Sequence, residues 1–214
     1  MTAGLRVIPI LNGQFMQNCY LLAEEGSTDA VIVDPGEAPV LFLETAERHG
    51  LTIREIWLTH GHIDHVSGVG AVKAATGAPI WMHPADLPLY RNLAQQASWF
   101  GLELDDPPPV DHELAHGQTL SLGTTSFAVR HTPGHSPGSV CFVAPGTVIG
   151  GDVLFQGSVG RVDLPGGDWE QLLGSIRDEL FPLPDETVVH PGHGPRTTIG
   201  AEKRNNPFLR DLVD

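Results

Sequence analysis

Cysteine is scarce in this chain. Only Cys19 and Cys141 occur, each inside an apolar run and without paired spacing. That argues against a disulfide framework or a redox pair and predicts two buried, inert thiols. Basic residues are also few, with 12 Lys and Arg against 26 Asp and Glu, a net charge of −14. A protein built to grip phosphate backbones needs the opposite sign, so nucleic acid is not an expected partner. The acidic surplus reads as solubility. No apolar run approaches the roughly 18 residues of a membrane span. The opening MTAGLRVIPI lacks the basic, apolar and small-residue succession of a signal peptide, so a cytoplasmic location is expected, with no membrane partner.

Length bounds the rest. The 214 residues fit one large or two small domains. The single linker-like stretch, DDPPPV at 105–110, is too short to separate independent units, so 1–214 is read as one domain. Glycine (25) and proline (18) make up about a fifth of the chain, against about 12% in average usage. They punctuate apolar runs, as in a loop-rich β or α+β fold.

Strand-like runs are expected at 5–11, 18–23, 30–34, 55–59, 78–82, 125–130, 139–144, 147–150 and 187–190. Helical stretches are expected at 37–49, 66–76, 84–100, 168–180 and 200–212, the first three each followed by glycine. The two halves share a rhythm of strands, a helix, and a strand ending in a histidine loop. Helices covering sheet faces is the architecture this implies.

Eleven histidines remain to be explained. The densest signal is THGHIDH at 59–65. His60 and His62 are two apart, and in extended backbone such residues point the same way, toward one ion. Asp64 and His65 follow out of phase and can aim at a second. Three other apolar runs end in turns that present a ligand type: FAVRHTPGH at His135, TVIGGD at Asp152 and ETVVHPGH at His193. Five histidines and two aspartates, without thiolate, suit zinc, iron or manganese. His83, His131 and His190 flank these runs as packing residues or outer hydrogen-bond donors, while His49, His112 and His116 read as surface.

HxHxDH at 60–65 followed by His135, Asp152 and His193 resembles the metallo-β-lactamase superfamily. The resemblance implies an α+β fold, a four-layer αββα sandwich with the metals at one rim of its two sheets. Carried over, His60, His62 and His135 hold one divalent ion. Asp64, His65 and His193 hold the other, and Asp152 bridges them. Such a pair lies about 3.5–4 Å apart with a hydroxide between, and Asp64 and Asp152 orient it.

Within the superfamily, both cysteines lie away from the ligand positions, unlike class B1 and B2 β-lactamases. Phe155 stands where lactonases of acyl-homoserine lactones usually carry tyrosine. The acidic charge disfavours a ribonuclease Z relative, and a flavodiiron domain has no room. GDVLFQGSVGRVDLPGGD at 151–168 and PGHGPRTTIGAEKRNNPFL at 191–209 are similar to short bacterial glyoxalase II (hydroxyacylglutathione hydrolase) relatives. That resemblance implies hydrolysis of a thioester such as S-lactoylglutathione, an anionic small molecule. Arg161 stands at the spacing of a glutathione-contacting lysine, although Asp163 replaces the tyrosine that accompanies it and no C-terminal helical domain follows. Arg161 has a second reading, a salt bridge with Asp163 or Asp168. Lys203, with Arg196, Arg204 and Arg210, offers a basic rim or else a solvated helix face. Two other functions stay open: a mononuclear iron persulfide dioxygenase of the same fold, held by His60, His135 and Asp152, and a hydrolase of an unassigned ester or lactone. A non-catalytic binding module would be expected to have lost some of the seven ligands. The sequence leaves a homo-oligomer open.

Overall fold

The computed structural model describes residues 4–212. The chain first lays down β1 (Leu5–Asn12), β2 (Gln17–Glu24) and β3 (Asp29–Val33), antiparallel neighbours in sequence order. Helix α1 (Pro39–Arg48) then returns the chain to β4 (Thr52–Trp57), which runs parallel to β3. Two short helices follow, α2 (Ile63–Val66) and α3 (Val69–Thr76), before β5 (Ile80–Met82). Helices α4 (Leu87–Arg91) and α5 (Leu93–Trp99) precede β6 (His112–Glu113), which closes a six-stranded sheet in order β1 to β6.

A second six-stranded sheet is built from the rest of the chain. It comprises β7 (Thr119–Leu122), β8 (Thr125–His131), β9 (Val140–Ala144) and β10 (Thr147–Gly151). A small hairpin, β11 (Leu154–Phe155) and β12 (Ser158–Val159), and helix α6 (Trp169–Ser175) precede β13 (Val188–Pro191), β14 (Thr197–Thr198) and α7 (Ile199–Asn205). The order is β14-β13-β10-β9-β8-β7, with β13 parallel to β10.

Side-chain alternation explains the layering. In β2, Cys19, Leu21 and Ala23 pack with Phe42 and Ala46 of α1 and Val69 and Val72 of α3. Tyr20 and Leu22, on the opposite face, join Phe127, Val129 and Phe142 of the second sheet. β2 therefore has no solvent face, which is why it reads as a continuous apolar run. In β9 and β10, Cys141 and Val148 face Leu172 and Ile176 in a third core. Helix, sheet, sheet, helix is the resulting order. Both thiols are free and fully buried, and burial pushes Cys141 up to about 12. Among the described residues no helix is long and apolar enough to cross a membrane.

The nine expected strands are all present within a few residues, but the expected helices are shorter. The 84–100 stretch breaks at Asn92 into α4 and α5, and 66–76 breaks at Gly68 between α2 and α3. The 168–180 stretch is α6 followed by a π-helical turn at Ile176–Leu180, and α7 stops before Pro207, which lacks the N–H to continue it.

Candidate metal centre

Beyond the end of β4 the chain passes through Thr59, His60 and Gly61 to His62, whose extended backbone caps α2. The rings of His60 and His62 lie 4.8 Å apart, as the i, i+2 spacing predicts. Asp64 and His65 sit in α2 itself, so the helical turn carries them to a different face. His135 lies in the β8–β9 turn, Asp152 directly follows β10, and His193 follows β13. All four strand ends meet at one rim.

Ligand atoms of His60, His62 and His135 lie within 4.8 Å of one another, and so do those of Asp64, His65 and His193. Asp152 stands between the two sets. Its Oδ1 is 3.3 Å from His65 Nε2, and its Oδ2 is 3.6 Å from His135 Nε2 and 3.5 Å from His193 Nε2. His193 Nε2 is also 3.0 Å from Asp64 Oδ2. The structure thus brings together all seven residues of the motif.

Outer contacts fix which nitrogen faces inward. His135 Nδ1 donates to the Arg161 carbonyl (2.8 Å) and His193 Nδ1 to the Phe15 carbonyl (3.1 Å). Thr59 Oγ1 donates to Asp34 (2.5 Å), so His60 Nδ1, 3.0 Å from that hydroxyl, must donate to it. Each of these rings then turns a bare Nε2 toward the centre. The Nε2 atoms of His60 and His135 face each other at 3.3 Å, two lone pairs with no proton between them, while His62 Nδ1 lies 2.9 Å from His135 Nε2. His65 Nε2 and Asp152 Oδ1, both buried, have no hydrogen-bond partner. Opposed lone pairs and orphaned donor atoms around an acidic centre fit divalent cations.

Electrostatics agree. Burial, reinforced by the neighbouring imidazoles, holds His60 well below the usual histidine range. Burial and then His135 take His62 down to about 3, so both are neutral ligands at pH 7. Burial opposes charge on His65 and Asp152 too. Their mutual attraction, with Asp64, overrides it, lifting the histidine and lowering the carboxyl.

Two aspartates that the sequence reading did not single out complete the frame. Asp34, 2% exposed and in a left-handed backbone conformation (φ 52°), accepts from Thr59 N (2.7 Å) and from His65 Nδ1 (2.9 Å). Its one sequence signal is its place after β3, before Pro35-Gly36. Asp86, fully buried, accepts from Gly61 N (2.9 Å), Ser136 Oγ (2.6 Å) and Gly138 N (2.5 Å). It ties the loop of His60 and His62 to the loop of His135. Burial pushes its carboxyl above the ordinary range against these hydrogen bonds. Asp86→Asn must set an amide against the N–H of one loop, leaving a buried donor unpaired at about 1–3 kcal/mol. We expect a melting temperature lower by about 2–12 °C, from about 2–4 °C per kcal/mol. Metal titration should show the His60 site weakened about 10–100-fold, whereas unchanged affinity would reduce Asp86 to packing.

A side chain at Gly61 would press on Met82, Asp86 and Leu89, so the glycine lets this loop pack against α4. His83 and His131 stack on each other (4.1 Å, 12°) outside the ligand cluster, and His190 packs edge-on against Tyr20. His49, His112 and His116 are exposed.

Residues 12–193 match the metallo-beta-lactamase superfamily. The chain belongs to that superfamily. It is 40% identical over 210 residues to hydroxyacylglutathione hydrolase GloC of Haemophilus influenzae, covering 96% of this chain and 98% of that protein. The crystal structure of BLEG-1 B3 metallo-beta-lactamase superposes with a TM-score of 0.90 at 40% identity, covering 96% of this chain and all of that one. TTHA1623 in a di-iron-bound form gives a TM-score of 0.86 at 45% identity, covering 94% of this chain and all of that one.

In this superfamily member His62, Asp64, His135, Asp152 and His193 form the floor of a pocket of about 350 Å³, with His60 and His65 buried behind them. One wall comes from Phe15 and from Trp99 and Phe100 at the end of α5; the other comes from the β11–β12 hairpin and the segment to Pro165. Helix α7 clamps that hairpin: Gly157 N donates to Glu202 (2.8 Å) and Asn206 Nδ2 to the Ser158 carbonyl (2.9 Å). Arg161 lines the pocket, but its guanidinium forms a two-point bridge to Asp163, 2.7 Å at each contact. Lys203 is not brought to the pocket. Its ammonium pairs with Asp185 (2.9 Å), which Arg204 also holds (3.1 Å), so these two cations lie on the face of α7.

Proposed function

We propose that this chain is a dinuclear metallohydrolase that cleaves a thioester such as S-lactoylglutathione. The observation that carries the reading is Asp152, placed with one oxygen toward His65 and the other toward His135 and His193. His60, His62 and His135 would hold one divalent ion, Asp64, His65 and His193 the other, with Asp152 shared between them. Zinc is the first candidate by donor type, with iron and manganese next. Two such ions supply a hydroxide at neutral pH and polarise a carbonyl.

The protein's own part is positional. Hydrogen bonds from Nδ1 fix the ring planes, and Asp34 orients His65 so that its Nε2 stays inward. Asp64 and Asp152 orient the nucleophile on the pocket side, where aromatic walls thin the surrounding water. A thiolate leaves readily, so no strong protein acid is needed. Similarity to a hydroxyacylglutathione hydrolase along nearly the whole chain supports a thioester as substrate, an anionic acylthiol of small size.

The test is thiol release from S-D-lactoylglutathione by protein loaded with zinc and, separately, with iron. Turnover in the ordinary enzymatic range of about 1–1,000 s⁻¹ is expected. No thiol release with either metal, together with persulfide-dependent oxygen uptake by the iron form, would replace hydrolysis with a mononuclear dioxygenase reaction.

A further inference from the structure

The walls of the pocket carry information that the ligand cluster does not. Phe15, Leu89, Trp99, Phe100, Phe155 and Leu164 surround the centre from both sides. Phe15 and Phe100 pack edge to face at 4.8 Å, and Phe155 stands edge-on to His193 at 6.1 Å. Trp99 is 56% exposed and Phe100 49%, so a substantial apolar area stands uncovered at the mouth of the site. Among the described lining residues Arg161 is the one Lys or Arg, and Asp163 already holds it at two points.

We infer that this wall binds the acyl half of the substrate and that the preferred acyl group is apolar, a straight-chain or aromatic group several carbons long. The inference rests on the thioesterase reading above. A charged thiol carrier cannot be desolvated against phenylalanine, tryptophan and leucine without losing its hydration, and no uncommitted cation stands there to compensate. The carrier therefore points through the mouth to solvent, and the acyl chain takes the walls. A lactoyl group is too short and too polar to cover them. Each added methylene that enters the pocket gains burial equivalent to about threefold to fourfold in kcat/KM.

The experiment compares acetyl, butanoyl, hexanoyl and phenylacetyl thioesters of one thiol, glutathione, with the lactoyl thioester, all on the metal-loaded protein. The expected result is a kcat/KM that climbs with chain length, hexanoyl exceeding acetyl by about 100-fold. In Trp99→Ala and Phe100→Ala that ratio should shrink several-fold. A flat or falling series, with hydrolysis intact, overturns the apolar acyl site and leaves the hydrolase reading standing. Absence of hydrolysis across the whole series falls on the hydrolase reading instead. Calorimetric binding of the carboxylates from acetate to hexanoate then decides the wall independently of turnover: affinity rising with chain length upholds it, and affinity indifferent to chain length overturns it.

Discussion

Asp152→Ala is expected to reduce the metal content from two ions per chain to at most one and to lower kcat by 10³-fold or more, equivalent to about 4 kcal/mol. The size follows from position. Asp152 is 9% exposed and lies within 3.6 Å of three imidazoles that belong to both halves of the cluster. Alanine removes the negative charge that offsets burial of His65 and the carboxylate that stands between the two sets. Elemental analysis after dialysis, with steady-state kinetics on the same sample, checks this. Two ions retained and ordinary turnover would end the dinuclear reading.

Gly192→Ala is expected to be nearly as damaging without replacing any of the seven clustered residues. A Cβ at Gly192 would overlap Asp152 Oδ1 and His65 Cε1. The backbone there cannot retreat, because Gly192 N donates to the Gly151 carbonyl and the Gly192 carbonyl accepts from Asn18 N, each at 2.7 Å. The Asp152 carboxylate must then move, and displacement of a reacting group by about 1 Å costs about 10²-fold in rate. Overpacking should lower stability by about 1–3 kcal/mol. Gly194→Ala is the comparison: its backbone is left-handed (φ 74°), yet nothing lies within 4 Å of a Cβ there. It should cost about 1–2 kcal/mol of stability for the left-handed conformation and leave metal affinity intact. Thermal melts and metal titrations on both variants separate the effects, and equal metal affinity in the two would refute the steric argument.

The seven clustered residues were visible because four apolar runs end in them, so chemistry and local structure changed together at each run's end. His60, His62, Asp64 and His65 are also adjacent, and adjacency is visible in a sequence. Asp34 and Asp86 were not legible, because a lone carboxylate carries no spacing and the groups it serves are 25 and 50 residues away. Lys203 stayed open between a basic rim and a helix face for the same reason in reverse. Its partner Asp185 lies 18 residues back, and only the fold shows that the charge is already spent. Arg161 was readable either way, and its short-range pairing with Asp163 prevailed in the structure. Helix lengths failed where apolar spacing persists through a break, as at Asn92, since periodicity reports which face is buried and not whether the axis continues.

Each sheet is drawn from one continuous stretch of chain, the first from Leu5–Glu113 and the second from Thr119–Thr198. His60, His62, Asp64 and His65 come with the first; His135, Asp152 and His193 come with the second. Neither stretch owns a complete set of donors for either ion. The centre is in effect a seam between two half-molecules, and ions bound there would act as rivets across it. Binding of metal and mating of the halves would then be coupled, metal adding to the hold that the apolar core shared by the two sheets already gives.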